Sequence, residues 1–452
     1  MTKLHLNVIP GADGLARDIA AQLRAAIRAG RLAAGARLPP SRELAEDLSI
    51  SRGVVVEAYQ QLCAEGFLVS RQGSGTRVAN VPRPPALEAA AVERPARPPR
   101  YDLRLGTPNL SRFPRREWLA AARQVLAGIP HAALGYPDTA GVAEFREALS
   151  EYLGRVRAAD AAPGRVVVVG GVADGLTLLT RALGRVKLAI EDPTSPYQLP
   201  LLRSAGAELI PIPVDREGMD IEALAGTEAD AVMLTPAHQY PTGVVLSPRR
   251  RALLREWAVS RNGIVIEDDY DAEFRYDREP IGCLQGLMPD RGVLMGSVSK
   301  SLAPGLRLGW ILAPPRLAAA VAQLRASTDL GSPVLDQYIV AQLMESGVFD
   351  RHVRAMRQMY RQRRDALVSA IGEYLPTASI AGISAGQHLH IELPGSDEAA
   401  VVKRARELEV GVRGITDFRV HKPGPPGLVL GFAGLTPSQL TEAVKRLARA
   451  VG

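Results

Sequence analysis

Short apolar runs alternate with segments of helical periodicity over most of the chain. "VVVV" (166–169), "LAI" (188–190), "ELIPI" (208–212), "AVML" (231–234), "GIVI" (263–266), "GVLM" (292–295) and "GWIL" (309–312) read as strands buried on both faces. Amphipathic segments lie between several of them, as where Leu176, Leu179 and Leu183 recur at i, i+3 and i+7. Such alternation predicts an α/β architecture built on a mostly parallel sheet. Beyond Pro333 the pattern becomes more helical, then ends with "HLHIEL", "LVLGF" and a last helix from about Ser438, which predicts a smaller α+β lobe.

The front of the chain follows a different pattern. Residues 15 to 29 form one helical candidate, and "SRELAEDL" forms a second, with Ser41 as its expected N-cap and Leu44 and Leu48 one turn apart. Ser51 caps a third, whose Val55, Tyr59 and Leu62 share one face. Two short helices joined by so tight a turn fit a helix-turn-helix, in which the second helix enters the major groove by its N-terminus. "FLVSRQGSGTRV" then reads as a β-hairpin wing around Gly73 and Gly75, with Arg71 and Arg77 beside its tip.

Composition changes this picture in two places. Six prolines among Ala, Arg and Glu in residues 80–100 cannot build a core and favour an extended connector. The expected domains are therefore residues 1–79, a linker over 80–100, and residues 101–452. The formal net charge of +7 is also uneven: ten Lys/Arg against seven Asp/Glu fall in the first eighty residues, and four against two in the linker. A basic front end suits a polyanion partner. The two cysteines, Cys63 and Cys283, indicate neither a disulfide framework nor a thiolate metal site. With no apolar run long enough for a membrane span and no secretion signal at the start, a cytoplasmic protein is expected.

Candidate chemistry collects behind four of the strands. "GGVAD", "PAHQYPTG", "EDDYDAEF" and "GSVSKS" follow the runs at 166–169, 231–234, 263–266 and 292–295, and in an open parallel sheet such loops converge on the ligand crevice. Their side chains match the needs of pyridoxal phosphate. Lys300 offers an amine for a Schiff base, Asp268 a carboxylate for the pyridinium nitrogen, and Tyr270 a donor for the phenolate oxygen. Backbone amides after Gly171, at Val172 and Ala173, open a helix and form an anion site, joined by Ser297 and Arg307.

Two resemblances sharpen these expectations. "ARLPPSRELAEDLSISRGVVVEAYQQLCAEGFLVSRQGSGTRV" resembles the winged helix of the GntR family of bacterial regulators, which implies DNA contacts from Arg42, Ser51, Arg52, Gly75 and Thr76. Gly53 stands where that family often has a polar residue. From about Tyr101 onward the chain resembles the fold-type-I aminotransferases, most sharply in "HQYPTG", "EDDYDAEF" and "SVSKSLAPGLRLGW". That resemblance implies cofactor contacts from Tyr197 and from Tyr136, the latter across a dimer.

Three departures from the aminotransferase pattern stand out. Tyr240 or Gln239 occupies the place of an asparagine that contacts the phenolate oxygen. "GGVADG" lacks the usual polar pair after its glycine. Val429 stands where an arginine commonly clamps the substrate α-carboxylate, with Arg413, Arg419 and His388 as possible substitutes.

A winged helix, a proline-rich linker and an aminotransferase-like domain in this order resemble the MocR/GabR-type regulators. The resemblance implies a homodimeric, DNA-binding transcriptional regulator that senses an amine, an amino acid or pyridoxal phosphate itself. A working aminotransferase with a DNA-binding appendage is the alternative, and an inert DNA-binding scaffold a third. Val429 favours sensing, because turnover requires the substrate held in an attacking geometry.

Overall fold

The computed structural model describes residues 14–71, 75–81, 99–104, 106–271, 273–276, 281–421 and 424–452. Two units divide the chain, Met1–Ala96 and Arg97–Gly452. Gly73 and residues 82–98 of the expected linker lie outside the described residues.

In the first unit the apolar periodicity becomes three helices, Leu15–Arg28, Ser41–Asp47 and Arg52–Ala64, followed by an antiparallel hairpin of Leu68–Arg71 and Gly75–Val78. Ile19 and Leu23 meet Leu44, Val55, Tyr59 and Leu62 in one core, which Leu68 and Val78 of the hairpin close. Ser49, at φ 53°, makes the turn between the second and third helices. The third helix is capped by Ser51 as expected, although its hydroxyl makes no capping bond. Ser41, by contrast, is not a cap. Pro40 holds that position with an extended ψ of 144°, and Ser41 is the first helical residue. Its hydroxyl instead accepts from Arg52 Nε at 3.3 Å.

The second unit is built on an eight-stranded sheet. In spatial order its strands are Val166–Val169, Gly309–Leu312, Gly292–Ser297, Ile264–Asp268, Ala231–Leu234, Val186–Asp192, Ala207–Asp215 and Gly218–Met219. Gly309–Leu312 is antiparallel to both neighbours and Gly218–Met219 is antiparallel to its own; the other strands run one way. Alternation explains how both faces are buried. Val167 and Val169 pack with Leu176 and Leu179 of the helix Val172–Leu183, while Val166 and Val168 pack with Phe145 and Leu149 of the helix Ala143–Arg157.

Several strands extend beyond the apolar runs that announced them. Ile264–Asp268 includes Glu267 and Asp268, and Gly292–Ser297 reaches Ser297. Glu267 and Asp268 are as buried as the apolar residues before them, and an apolar pattern misses them because polar partners and not apolar packing accommodate them there. A second, four-stranded antiparallel sheet of Ser379–Ala381, His388–Glu392, Gly427–Gly431 and Arg413–Gly414 forms the smaller lobe, backed by the helix Pro437–Val451. Among the described residues no helix is long and apolar enough to cross a membrane.

Candidate functional site

The carboxyl ends of the large sheet and one face of the small sheet enclose a cavity of about 700 Å³, in the size range of small-ligand sites. Lys300, Asp268, Tyr270, Ser297, Arg307, Tyr240, Val172 and Ala173 all line it. Asp268 ends its strand, and Lys300 follows the next strand after a single turn. Parallel pairing of Met295 with Asp268 sets those two chain segments side by side.

At the opposite corner Gly171, at φ 102°, precedes the helix Val172–Leu183. The Arg307 guanidinium lies over it, with Nη2 only 3.0 Å from where a Cβ would sit. Gly309 must also lack a side chain, since a Cβ there would meet Gly171 Cα at 2.9 Å. Arg307 itself is held left-handed at φ 49°, at a cost of about 1–2 kcal/mol. Two amides at a helix N-terminus with a guanidinium above them make an anion cradle.

Burial governs the electrostatics. Asp268 is 6% exposed, and loss of solvent pushes its carboxyl up to about 6, although a 2.8 Å hydrogen bond from Gln198 Nε2 to Oδ2 opposes this. Its other oxygen, Oδ1, is buried with no hydrogen-bond partner among the described residues. An acceptor left dry and unpaired is costly, so it calls for a cationic or N–H ligand. Lys300 Nζ donates to the Gly106 carbonyl at 2.6 Å, and burial lowers its pKa against the pull of Asp271 and Asp268. A lowered ammonium pKa increases the fraction of free, nucleophilic amine.

Tyr270 is aimed by the neighbouring loop. Its hydroxyl donates to the His238 carbonyl at 3.0 Å and lies 3.0 Å from His238 Nδ1, which in turn contacts Asp271 Oδ2 at 3.0 Å. Burial raises the Tyr270 pKa well above its ordinary value, so the phenol stays a donor. His238, Asp271 and His388 also bring potential metal-ligating atoms within 4.8 Å of one another. His388 Nε2, however, already contacts the Pro241 carbonyl at 3.2 Å, and the cluster is satisfied as a hydrogen-bond network.

The structure separates alternatives that the sequence left open. Gln239 is committed to backbone and loop partners: its amide donates to the carbonyls of the distant Pro193 and the adjacent Tyr240, and its oxygen accepts from Thr242. The side chain that faces the cavity is that of Tyr240, packed edge-on to Tyr270 with centroids 5.6 Å apart. Tyr197 also lines the cavity while remaining 74% exposed, whereas Tyr136, at 89%, stays outside it. Gln198, Gly106, Arg104 and the His238–Asp271 pair were not singled out from the sequence. Each depends on a chain segment far from the lysine, and no local pattern announces it.

In the first unit Arg42, Ser51, Arg52 and Gly75 are exposed and Thr76 is half-buried. Tyr59 hydroxyl donates to the Pro39 carbonyl at 3.0 Å, which pins the third helix to the segment before the second. Arg37 was missed. It bridges to Arg77 in the hairpin, and its Nε lies 3.2 Å from where a Cβ of Gly75 would sit, which adds a cation to the wing. Arg77 donates back to the Gly35 carbonyl at 2.9 Å.

Comparison with known proteins places both units. Residues 15–78 match the model of the bacterial regulatory proteins of the gntR family, and residues 102–447 match aminotransferase class I and II. The probable rhizopine catabolism regulatory protein MocR of Rhizobium meliloti is 32% identical, over 95% of this chain and 92% of its own. The HTH-type pyridoxine biosynthesis transcriptional regulator PdxR of Corynebacterium glutamicum is 31% identical, over 95% and 94%. Among solved structures, the α-aminoadipate aminotransferase LysN of Thermus thermophilus, complexed with N-(5'-phosphopyridoxyl)-L-leucine, superposes with a TM-score of 0.71 at 26% identity, over 77% of this chain and 91% of its own. With a gntR-type winged helix ahead of a class I and II aminotransferase fold, and full-length similarity to such regulators, the chain belongs to the MocR-type GntR family of DNA-binding transcriptional regulators.

Proposed function

We propose that the large unit binds pyridoxal phosphate and uses it to register an amine, an amino acid or the cofactor itself, and that the winged helix passes that state to operator DNA. The observation that carries this reading is the unpaired, buried Asp268 Oδ1 in the same cavity as Lys300 and the Gly171–Arg307 cradle. Asp268 would hold the ring nitrogen and Lys300 the aldehyde carbon. Tyr270 and Tyr240 would flank the phenolate oxygen, and the amides of Val172 and Ala173 with Ser297 and Arg307 would take the phosphate. Bound there, the cofactor supplies an aldehyde that captures amines and an electron-withdrawing ring. Tyr270 holds its proton at the hydroxyl, and Asp268 keeps a negative charge where a protonated ring nitrogen needs one.

The DNA contacts would come from Arg42, Ser51, Arg52, Gly75 and Thr76, with residues 80–100 as the connector. A sequence selected from a random duplex pool by the full-length protein gives the test. Its affinity should change by tenfold or more on cofactor loading, a coupling of about 1.4 kcal/mol. Equal affinities of loaded and unloaded protein would defeat the sensing reading. Arg52→Ala should weaken binding by about tenfold to a hundredfold, as expected for loss of a base or phosphate contact. An unchanged affinity in the variant would remove the third helix from the interface.

The large unit would pair with a second copy. Leu119 and Leu126, seven residues apart on one face of the helix Arg115–Gly128, are 52% and 61% exposed, and Leu134 and Tyr136 follow at 56% and 89%. Apolar side chains concentrated in one segment mark a protein contact, and Tyr136 would then reach the partner's cavity. Leu126→Lys should raise the dimer dissociation constant by about tenfold or more in sedimentation measurements. A variant that dimerises as tightly as the native chain would place the contact elsewhere.

A further inference from the structure

Of the candidate substitutes for the arginine missing at 429, the small sheet places one guanidinium, that of Arg413, in the cavity wall. Its strands His388–Glu392, Gly427–Gly431 and Arg413–Gly414 are adjacent, and their register aligns His390 with Val429 and Val429 with Arg413. Residues directly opposite across antiparallel strands point to the same face. Val429 faces the cavity side, since it clusters with Ile415 and Phe418 against Tyr240, and Gly431, two residues on, lines the cavity. Arg413 lines it too. The wall is therefore apolar at position 429 but carries a guanidinium one strand to the side, a displacement of about 4.8 Å.

Arg413 is held firmly and satisfied poorly. Its guanidinium stands 4.8 Å from the Phe418 ring centroid and 5.3 Å from that of Tyr197, and Nη1 donates to the Tyr197 hydroxyl at 3.0 Å. Among the described residues one carboxylate pairs with it: Asp417 Oδ2, 3.4 Å from Nε, on a side chain that is 56% exposed. A long ion pair to an exposed acid is easily replaced. Nη2 makes no hydrogen bond among the described residues.

The other cations of the cavity are committed. Arg104 forms a two-pronged pair with Asp102 at 2.8 and 2.7 Å, Lys300 is bound to the Gly106 carbonyl at 2.6 Å, and Arg307 covers Gly171. The other substitutes for the residue at 429 also fail. Arg419 does not line the cavity and donates to the Pro425 carbonyl, and burial holds the His388 pKa well below its ordinary value, so it stays neutral although it donates to the Pro241 carbonyl.

We propose that Arg413 is the anion-binding residue of the effector subsite, and that the effector is an amine bearing a carboxylate. The inference rests on the cofactor-sensing reading, which supplies the amine end through Lys300. A carboxylate arriving at Arg413 displaces Asp417 and engages the free Nη2 as one prong of a fork, while Tyr197 and Phe418 keep the guanidinium plane fixed. Because the cation sits beside position 429 and not on it, the separation of amine and carboxylate that fits differs from the one an arginine at 429 would select. Arg413 thus sets specificity.

The test uses the full-length, cofactor-loaded protein and the visible spectrum of its bound cofactor. Straight-chain amino acids of increasing amine-to-carboxylate separation are titrated, each beside its carboxamide. The native chain should prefer the best carboxylate over its amide by about tenfold to a hundredfold, the range of a charge-assisted hydrogen bond. In Arg413→Gln that ratio should fall to about one with amide affinity unchanged. Arg413→Lys, which keeps the charge and loses the fork, should give an intermediate ratio, and its retained cofactor spectrum reports a folded site.

A ratio preserved in both variants, or native protein whose spectrum responds equally to acids and amides, overturns the subsite while the sensing reading stands. A protein that acquires no cofactor spectrum at all overturns the sensing reading and the subsite with it.

Discussion

Lys300→Ala should abolish the visible absorbance expected of the native chain with pyridoxal phosphate, and the variant should lose the cofactor on gel filtration. Lys300 is the amine that lines the cavity beside Asp268 and Tyr270, and its burial and contact with the Gly106 carbonyl hold Nζ there rather than in water. No other side chain among the described lining residues is a primary amine. The loss should be complete because a covalent bond, not a share of binding energy, is removed.

Borohydride reduction of the loaded native chain followed by peptide mapping provides the second readout. The sequence contains six lysines, so labelling of position 300 alone is readily distinguished from scattered surface reaction. Label on another lysine, or an absorbance band that survives in the variant, would sink the assignment. The winged helix is a separate unit with its own core, so the variant should bind DNA with the affinity of the unloaded native protein.

Arg157→Met should be among the most destabilising single changes in the large unit. Strand alternation turns Asp268 toward the cavity and its neighbours Glu267 and Asp269 toward the other side, where Arg157, 2% exposed, receives both. Nε lies 2.6 Å from Asp269 Oδ2 and Nη2 lies 3.2 Å from Glu267 Oε1, while Nη1 donates to the Ile281 carbonyl. Removing the cation takes away the positive charge that both carboxylates face, a loss of about 3–5 kcal/mol for breaking a buried pair.

Acidity supplies a check on the cause. Burial already pushes the Glu267 carboxyl up to about 7, with Arg157 pulling it back down. Without Arg157 it rises further above its unfolded value, so the folded variant binds a proton more readily than the unfolded chain does. Its deficit is therefore largest above that raised pKa and shrinks as pH falls through it. Denaturant midpoints of the large unit from about pH 8 down to about pH 5.5 measure this. A deficit that stays constant or grows on acidification would mean that the arginine acts through packing alone. Cofactor affinity should fall in the same variant, because the strand end that presents Asp268 is the one Arg157 anchors.

Much of this was legible without coordinates. Apolar runs of four or so residues, each followed by a polar loop, already implied which loops would share one end of the sheet, because parallel strands put all their carboxyl ends together. Lys300, Asp268, Tyr270, Arg307 and the Gly171 turn could be named from that rule and from resemblance. The helix Arg52–Ala64 was equally plain, since Val55, Tyr59 and Leu62 at helical spacing fix which face turns inward and leave Ser51 and Arg52 outside.

Tertiary structure decided whatever depended on distant segments meeting. Gln198 on Asp268, Gly106 on Lys300 and His238 under Tyr270 join residues 70, 194 and 32 positions apart, and no periodicity encodes such pairs. Gln239 and Tyr240 are neighbours in sequence with opposite fates, settled only when one amide found the carbonyl of Pro193, 46 positions away, as well as that of Tyr240. The same holds for Val429 and Arg413. The sequence shows an arginine missing, and only strand register, which side-chain type does not specify, places another beside the gap.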